Sequence, residues 1–120
     1  MATTTVSRIP ISGAAHGVGV LVVATATAGT LIHTAQSSAT DCDVLTLYAT
    51  NNDTAAINLT IEYGGVSSPT DLIKLSIPAT SGLTLVLPDL VIRNSLVIRA
   101  FAGTASKITV HGFVNRVTTV

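Results

Sequence analysis

The chain carries very little charge. Six acidic and six basic side chains are spread over 120 residues with a formal net charge of zero, and residues 9–40 hold none of them. Soluble domains usually have about a quarter of their residues charged, and small domains have the most surface per residue to keep hydrated. We therefore expect other protein chains to cover much of this protein's outer surface.

Three further shortages exclude classes of function. The sequence pI near 6.8 gives no basic excess, which removes the electrostatic attraction behind most nucleic-acid binding, so we expect no direct nucleic-acid partner. Cys42 is the only cysteine, which excludes an intramolecular disulfide and a multi-cysteine metal site. The absence of Trp and the presence of only four aromatic residues disfavour the ring platforms that sugar-binding sites use.

The most apolar stretch, residues 18–32, does not predict a membrane segment. It is about 15 residues long, whereas a spanning helix needs roughly 20, and it contains Gly19 and Gly29. As a secretory signal it would offer a cleavage site at residues 26–28, but the region before it is unusually long and has a single Arg. We expect no membrane partner and synthesis in the cytoplasm.

Composition and alternation predict an all-β protein. Val, Ile and Leu occupy 36 positions and Thr another nineteen, and the β-branched residues among them fit a pleated surface better than a helix. Residues 57–63 alternate strictly between apolar and polar side chains, as a half-buried strand does. Similar patterns predict about eight strands, at residues 17–25, 30–35, 42–50, 57–63, 72–77, 83–87, 95–101 and 107–117.

Strands at intervals of about ten residues favour an antiparallel β-sandwich or jelly roll. Residues 51–54 have the turn chemistry of a tight antiparallel hairpin, and the break at Pro88 and Asp89 predicts a crossing from one sheet to the other. Residues 1–16 are weakly patterned and predict an extended N-terminal arm, followed by a sandwich domain over residues 17–120.

No pattern in the chain indicates catalysis. His16, His33 and His111 are far apart in sequence, so the fold alone could bring them together as metal ligands. No Gly-x-Ser-x-Gly turn marks a nucleophilic serine. We expect a protein that is not an enzyme and binds no cofactor or metal.

Asp41, Cys42 and Asp43 form one ambiguous cluster. Alternation would place the two carboxylates on one face of a strand, where they could bind a hard cation. The simpler interpretation is a polar strand entry with the Cys42 side chain turned inward.

If the N-terminal arm lies on a neighbouring subunit, its larger side chains are interface candidates. Planar guanidinium groups are also enriched at interfaces, which favours the arginine that alternates with Val97 and Phe101. The predicted interface residues are Val6, Arg8, Ile9, Ile11 and Arg99.

Four segments resemble small virion proteins of tailed bacteriophages: GTLIHTA (29–35), LTIEYGG (59–65), LVIRAFA (96–102) and ITVHGFVNR (108–116). The resemblance covers residues 29–116 and leaves out the arm. It implies a capsid decoration, or cement, protein with a β-sandwich or jelly-roll fold, usually a homotrimer. The implied partner is the major capsid protein, and the implied location is the outer surface of the virion.

A β-sandwich is also a suitable scaffold for a carbohydrate- or receptor-binding module of a virion appendage, such as a head fibre or tail. Few aromatic residues are available for such a site, so the sequence favours the capsid decoration protein.

Overall fold

The computed structural model describes residues 2–120, which form nine β-strands. The predicted all-β sandwich is confirmed, because all pairings within its two sheets are antiparallel. The strands are β1 (Thr4–Pro10), β2 (Val20–Leu21), β3 (Thr30–Thr34), β4 (Cys42–Asn51), β5 (Ile57–Tyr63), β6 (Leu72–Ile77), β7 (Thr84–Ile92), β8 (Val97–Ala102) and β9 (Ile108–Thr119).

The first sheet has the order β1-β9-β4-β7, with β2 also pairing with β9, and the second has the order β3-β8-β5-β6. Alternate residues of the long strands face inward, where Leu45 and Leu47 of β4 meet Leu59 and Ile61 of β5, all without exposed surface. This aliphatic core follows from the period-two pattern, which directs every second side chain to one face.

The predicted hairpin at residues 51–54 is wrong. β4 pairs with β7 and β9, whereas β5 pairs with β6 and β8, so this connection crosses between the sheets. The buried Asn51 amide fixes the crossing by donating to the carbonyl oxygens of Ala55 at 2.9 Å and Ile77 at 3.0 Å. Asn and Asp stabilise such connections in the same way that they stabilise hairpin turns.

The predicted crossing at Pro88 is also wrong, because both halves of β7 pair with β4 and the register shifts between them. β7 is an edge strand, where a proline can lie without removing a hydrogen bond of the sheet. Asp89 has a φ of 44°, and its carboxylate accepts a hydrogen bond of 3.1 Å from the Thr46 hydroxyl. The local irregularity therefore bends one strand instead of starting another sheet.

The predicted arm is partly a strand of the first sheet. β1 pairs with the second half of β9, from Thr4 opposite Thr119 to Pro10 opposite Phe113. Immediately after β1, Ile11 enters the core with 1% of its surface exposed, and the Gly13 amide donates to the Ile32 carbonyl oxygen at 2.8 Å. Residues 11–13 are thus attached to the sandwich, ahead of the sequence-based boundary at residue 16.

Candidate functional site

The outer face of the first sheet is broad and combines apolar side chains with mostly uncharged polar ones. The register places Val6, Val117 and Cys42 in one row across β1, β9 and β4, and it places Val91 beside Val44. The edge strands of this surface are open to solvent, with Val6 62%, Leu85 50% and Val91 52% exposed, whereas its members on the central strands β4 and β9 are partly exposed. We call this surface the first-sheet outer face; its apolar members are Val6, Leu21, Cys42, Val44, Tyr48, Leu85, Val91, Phe113 and Val117.

The first-sheet outer face has few charged side chains, and its Arg8 is fixed by contacts within the sheet. The Arg8 guanidinium lies 4.3 Å from the centre of the Phe113 ring, and its Nε donates to Asn115 Oδ1 at 3.1 Å. A cation over an aromatic face is attracted by the ring's quadrupole, so Arg8 lies flat on the sheet. The face therefore remains accessible to a flat apolar partner.

The structure brings together only some of the predicted interface residues. Val6 and Arg8 share the first-sheet outer face, whereas Ile9 is half-buried and packs on the core. Ile11 differs from the expectation, because its side chain fills the chain's own core and presents no outward surface. Arg99 lies on β8 of the second sheet, where it is 3.4 Å from the Gly29 carbonyl oxygen.

Sequence reasoning missed most of the first-sheet outer face. The available signal was in β9, where Val110 and Val114 face inward while Phe113 and Val117 lie on the opposite side. Apolar residues on both faces of a strand indicate that both faces are to be covered. In the single chain only the inner face of β9 is covered.

A buried ionic network lies between the sheets at one end of the core. His33 and Asp43 have no exposed side-chain surface, and their Nε2 and Oδ2 atoms are 2.8 Å apart. Arg116, one third exposed, donates from Nε and Nη2 to the two Asp43 oxygens at 2.8 and 2.9 Å. Buried charges are tolerated when they are paired and fully hydrogen-bonded in this way.

The expectation that Cys42 turns inward is wrong, because Asp43 does. Asp43 shares the inner face of β4 with Leu45, while Cys42 lies on the half-exposed outer side. The reason is the partner set: Arg116 on β9 is directly opposite Asp43, and Gln36 donates to the same carboxylate from its backbone and side chain. Alternation alone could not reveal this, since Arg116 is 73 residues away in sequence.

The protonation states of the network follow from its geometry. Burial would raise the pKa of Asp43, but the hydrogen bonds from Arg116 and His33 outweigh it and the pKa lies below its usual value. Burial lowers the pKa of His33, although the bond to Asp43 opposes this. The hydrogen bond to Asp43 raises the pKa of Arg116. Asp43 and Arg116 are therefore charged and His33 is neutral at pH 7.

The network is not arranged for catalysis. The Ser12 amide donates to His33 Nδ1 at 3.0 Å, so Nε2 carries the ring proton and donates it to Asp43. Both ring nitrogens are occupied, and the ring has no exposed surface. A general base must reach the proton that it removes, which this His33 cannot do.

Glu62 is a second buried carboxylate, on the outer side of the second sheet. The Gly29 amide donates to its Oε1 at 2.6 Å, and the Thr27 hydroxyl donates to its Oε2. The segment before β3 therefore covers Glu62 and leaves it 1% exposed. Both carboxylate oxygens are hydrogen-bonded internally, and Glu62 does not contribute to the outer surface.

A cavity of about 420 Å³ opens on the outer face of the second sheet. Its Phe101 ring lies on β8, and the neighbouring strands β5 and β6 supply polar groups from Asn58, Thr60, Lys74 and Ser76. Ligand cavities typically measure about 300–1,000 Å³ and combine apolar surface with a few polar groups. The size and lining are suited to a small polar ligand.

Within residues 2–120, no group of three or more His, Cys, Asp or Glu side chains is placed to hold a metal ion. The same part of the chain has no helix long and apolar enough to span a membrane. Comparison of the chain with protein-family models, curated proteins and solved structures finds no match.

Proposed function

We propose that this chain is a structural virion protein, a homotrimeric decoration protein that binds the outer surface of an assembled bacteriophage head and stabilises it. The observation that carries the proposal is the first-sheet outer face, where Val6, Leu21, Leu85 and Val91 are exposed and the other apolar members are partly exposed in the single chain. Exposed apolar surface of this kind often marks a protein contact. The major capsid protein is the proposed partner.

The dimensions of this face fit that role. At about 4.8 Å between strands and 3.4 Å per residue, four strands over the ten-residue length of β4 span at most roughly 650 Å². A standard protein contact buries about 800 Å² on each partner. A subunit that binds only the assembled shell stabilises it by mass action, and several contacts per trimer strengthen the attachment further.

The test is binding of the purified chain to heads of the phage that encodes it, measured by co-sedimentation at about 0.1 and 1 M NaCl. Apolar contacts are insensitive to screening, so binding should persist at the higher salt concentration. Val91→Lys should weaken binding at least tenfold, because it places a charge on the docking face. Val66→Lys alters a similarly exposed valine in the loop after β5 and should bind normally.

Loss of wild-type binding at high salt, or equal binding by the two lysine variants, would contradict this docking face. Native mass measurement tests the trimer separately, since a monomer at every concentration would rule it out.

The cavity beside Phe101 supports a second candidate, a carbohydrate-binding module of a virion appendage. An aromatic ring flanked by amide, hydroxyl and ammonium groups is the chemistry that stacks on a sugar ring and binds its hydroxyls. Binding on a glycan array that Phe101→Ala abolishes and Phe113→Ala leaves intact would favour this function. An array without binding would eliminate it.

A further inference from the structure

β1 presents a free strand edge. Thr3 and Val120 exchange both backbone hydrogen bonds, at 2.8 and 3.0 Å, and in an antiparallel pair such exchanges recur at every second residue. The backbone groups of Thr5, Ser7 and Ile9 therefore point toward β9. Those of Thr4, Val6 and Arg8 point away from it, and six of the seven β1 residues are exposed.

The edges formed by β3, β6 and β7 carry recognised protections against strand pairing. Lys74 lies in the middle of β6, and β7 is interrupted by Pro88 and the irregularity at Asp89. β3 is covered by the preceding segment, since the Gly13 amide donates to Ile32 and the Thr34 amide donates to the Ser12 hydroxyl. Lysine, proline, bulges and covering loops all discourage pairing at an edge.

We propose that β1 pairs antiparallel with β1 of a second copy of this chain, across a two-fold axis at Val6. This proposal rests on the self-association part of the proposed function and adds to it a defined contact. Val6 would exchange backbone hydrogen bonds with Val6 of the second copy. On either side of the axis, Thr4 of each copy would do the same with Arg8 of the other. Pro10 has no N–H to offer, so the pairing would end just beyond Arg8.

The strand is self-complementary in this register. Each Arg8 lies opposite a threonine and about 14 Å along the strand from the other Arg8, so like charges do not face each other. Val6 meets Val6 of the second copy, which extends the row formed by Cys42, Val117 and Val6 across the axis. The contact would join the two first-sheet outer faces into one continuous surface.

A two-fold contact of this kind also fits a trimer, because it would join a subunit of one trimer to a subunit of the next. Each contact is isologous, with the same strand contributed by both copies. On a shell, it would connect neighbouring decoration proteins to one another independently of their binding to the capsid.

The experiment measures the mass of the full chain by sedimentation velocity over a concentration range that reaches about 100 µM. Val6→Pro removes an N–H that points away from β9, so the chain's own sheet keeps its hydrogen bonds. Val6→Lys is the second variant, and the matched control is Val66→Lys, which alters an exposed valine in the loop after β5. Circular dichroism establishes that each variant is folded.

We expect the largest wild-type and Val66→Lys species to have at least twice the mass of the Val6→Pro and Val6→Lys species. A wild-type monomer at every concentration, or equal masses for wild type and a folded Val6 variant, would overturn the proposal. If the wild-type chain failed to bind phage heads but still formed larger species than the Val6 variants, the docking function alone would be contradicted.

A cysteine cross-link tests the register. In a Cys42→Ser background, Val6→Cys should form a disulfide-linked dimer under mild oxidation, because paired Cα atoms lie about 5.5 Å apart and disulfides tolerate roughly 4.4–6.8 Å. Arg8→Cys, about 14 Å from its copy, should remain unlinked. Cross-linking of Arg8→Cys but not of Val6→Cys would overturn the two-fold at Val6.

Discussion

Asp43 keeps a negative charge inside an aliphatic sandwich because Arg116 binds both of its oxygens and His33 and Gln36 complete its hydrogen bonds. The stability of the fold at this point depends on the whole partner set. Removing one partner leaves a charge that the remaining groups cannot fully compensate.

We expect Arg116→Met to lower the free energy of unfolding by about 2 kcal/mol, less than the 3–5 kcal/mol seen for fully buried pairs, because Arg116 is partly exposed to water. Urea denaturation at pH 7 measures the change. Arg93→Met is the control, since the Arg93 guanidinium binds the exposed carbonyl oxygens of Ala39 and Thr40 and its loss should change stability by less than about 0.5 kcal/mol. Equal effects of the two substitutions would contradict a structural role for the ion pair.

His33 should make the protein sensitive to mild acid. Its folded pKa lies below the ordinary value of 6.5, so the unfolded chain binds a proton first as the pH falls. The stability contributed by neutral His33 is complete above pH 6.5 and declines below it, with a slope of at most about 1.4 kcal/mol per pH unit. Asp43 acts in the same direction, but only below its ordinary value of 3.8.

The matched variant is His33→Gln, whose amide can donate to Asp43 and accept from Ser12 without titrating. Denaturation curves between pH 7 and pH 4.5 should show a decline in wild type and a shallower decline in His33→Gln. Identical slopes would show that His33 does not cause the acid sensitivity.

Among the elements, β9 forms the centre of the first sheet because it pairs with β1, β2 and β4. Gly112 lies where β9 passes Leu47 of β4, and an added Cβ would contact the Thr46 carbonyl oxygen and lie 2.9 Å from Leu47 Cδ2. A carbonyl oxygen in a paired strand cannot move aside as the end of a side chain can. Glycine is therefore required here by the close approach of two backbones.

We expect Gly112→Ala to cost about 3 kcal/mol of stability, at the upper end of typical overpacking effects. Gly103→Ala is the control, because the nearest atom to its added Cβ is the Asn58 carbonyl oxygen at 4.0 Å. Thermal denaturation of both variants compares the costs, and a neutral Gly112→Ala would contradict the close packing of β4 on β9.

The N-terminal segment contains two elements of different importance. Deleting residues 2–9 removes most of an exposed strand and should lower the free energy of unfolding by less than about 2 kcal/mol. Deleting residues 2–15 also removes buried Ile11, whose loss alone should cost about 2–5 kcal/mol, together with the Ser12 contact to His33. Denaturant titration of the two truncations tests this difference, and equal stabilities would contradict it.

Most strands could be predicted from the sequence because alternation reports which residues share a face. Alternation does not report which strands are neighbours, and the same Asn-rich turn serves a hairpin or a crossing between sheets. For this reason the predictions of a hairpin at residues 51–54 and of a crossing between sheets at Pro88 are both wrong. The candidate site could be predicted in part. The predicted interface residues of the arm include Val6 and Arg8, but only the strand register shows that Val91 and Phe113 lie on the same face of the sheet.

At the scale of the whole molecule, the outer surface has even less charge than the composition suggests. Asp43 and Glu62 are buried, and Arg116 is bound to Asp43, so three of twelve ionic side chains are committed internally. What remains is a weakly charged surface that includes the exposed apolar side chains of the first-sheet outer face. Association through such a surface depends on shape and apolar burial more than on charge.

We therefore expect the mass distribution of the purified chain to be unchanged between about 0.05 and 1 M NaCl, since screening affects only exposed charges. Sedimentation velocity at both salt concentrations measures the mass distribution. Dissociation of the wild type at high salt would show that ionic contacts hold the copies together.

The backbone exchange between Thr3 and Val120 brings these two residues side by side. A bulky group attached next to either one would thus stand at the same corner of the molecule, beside the β1 edge. The same proximity suits the fold to circular permutation: a short glycine linker could join Val120 to Thr3, and the chain could be opened in the exposed turn at residues 103–106.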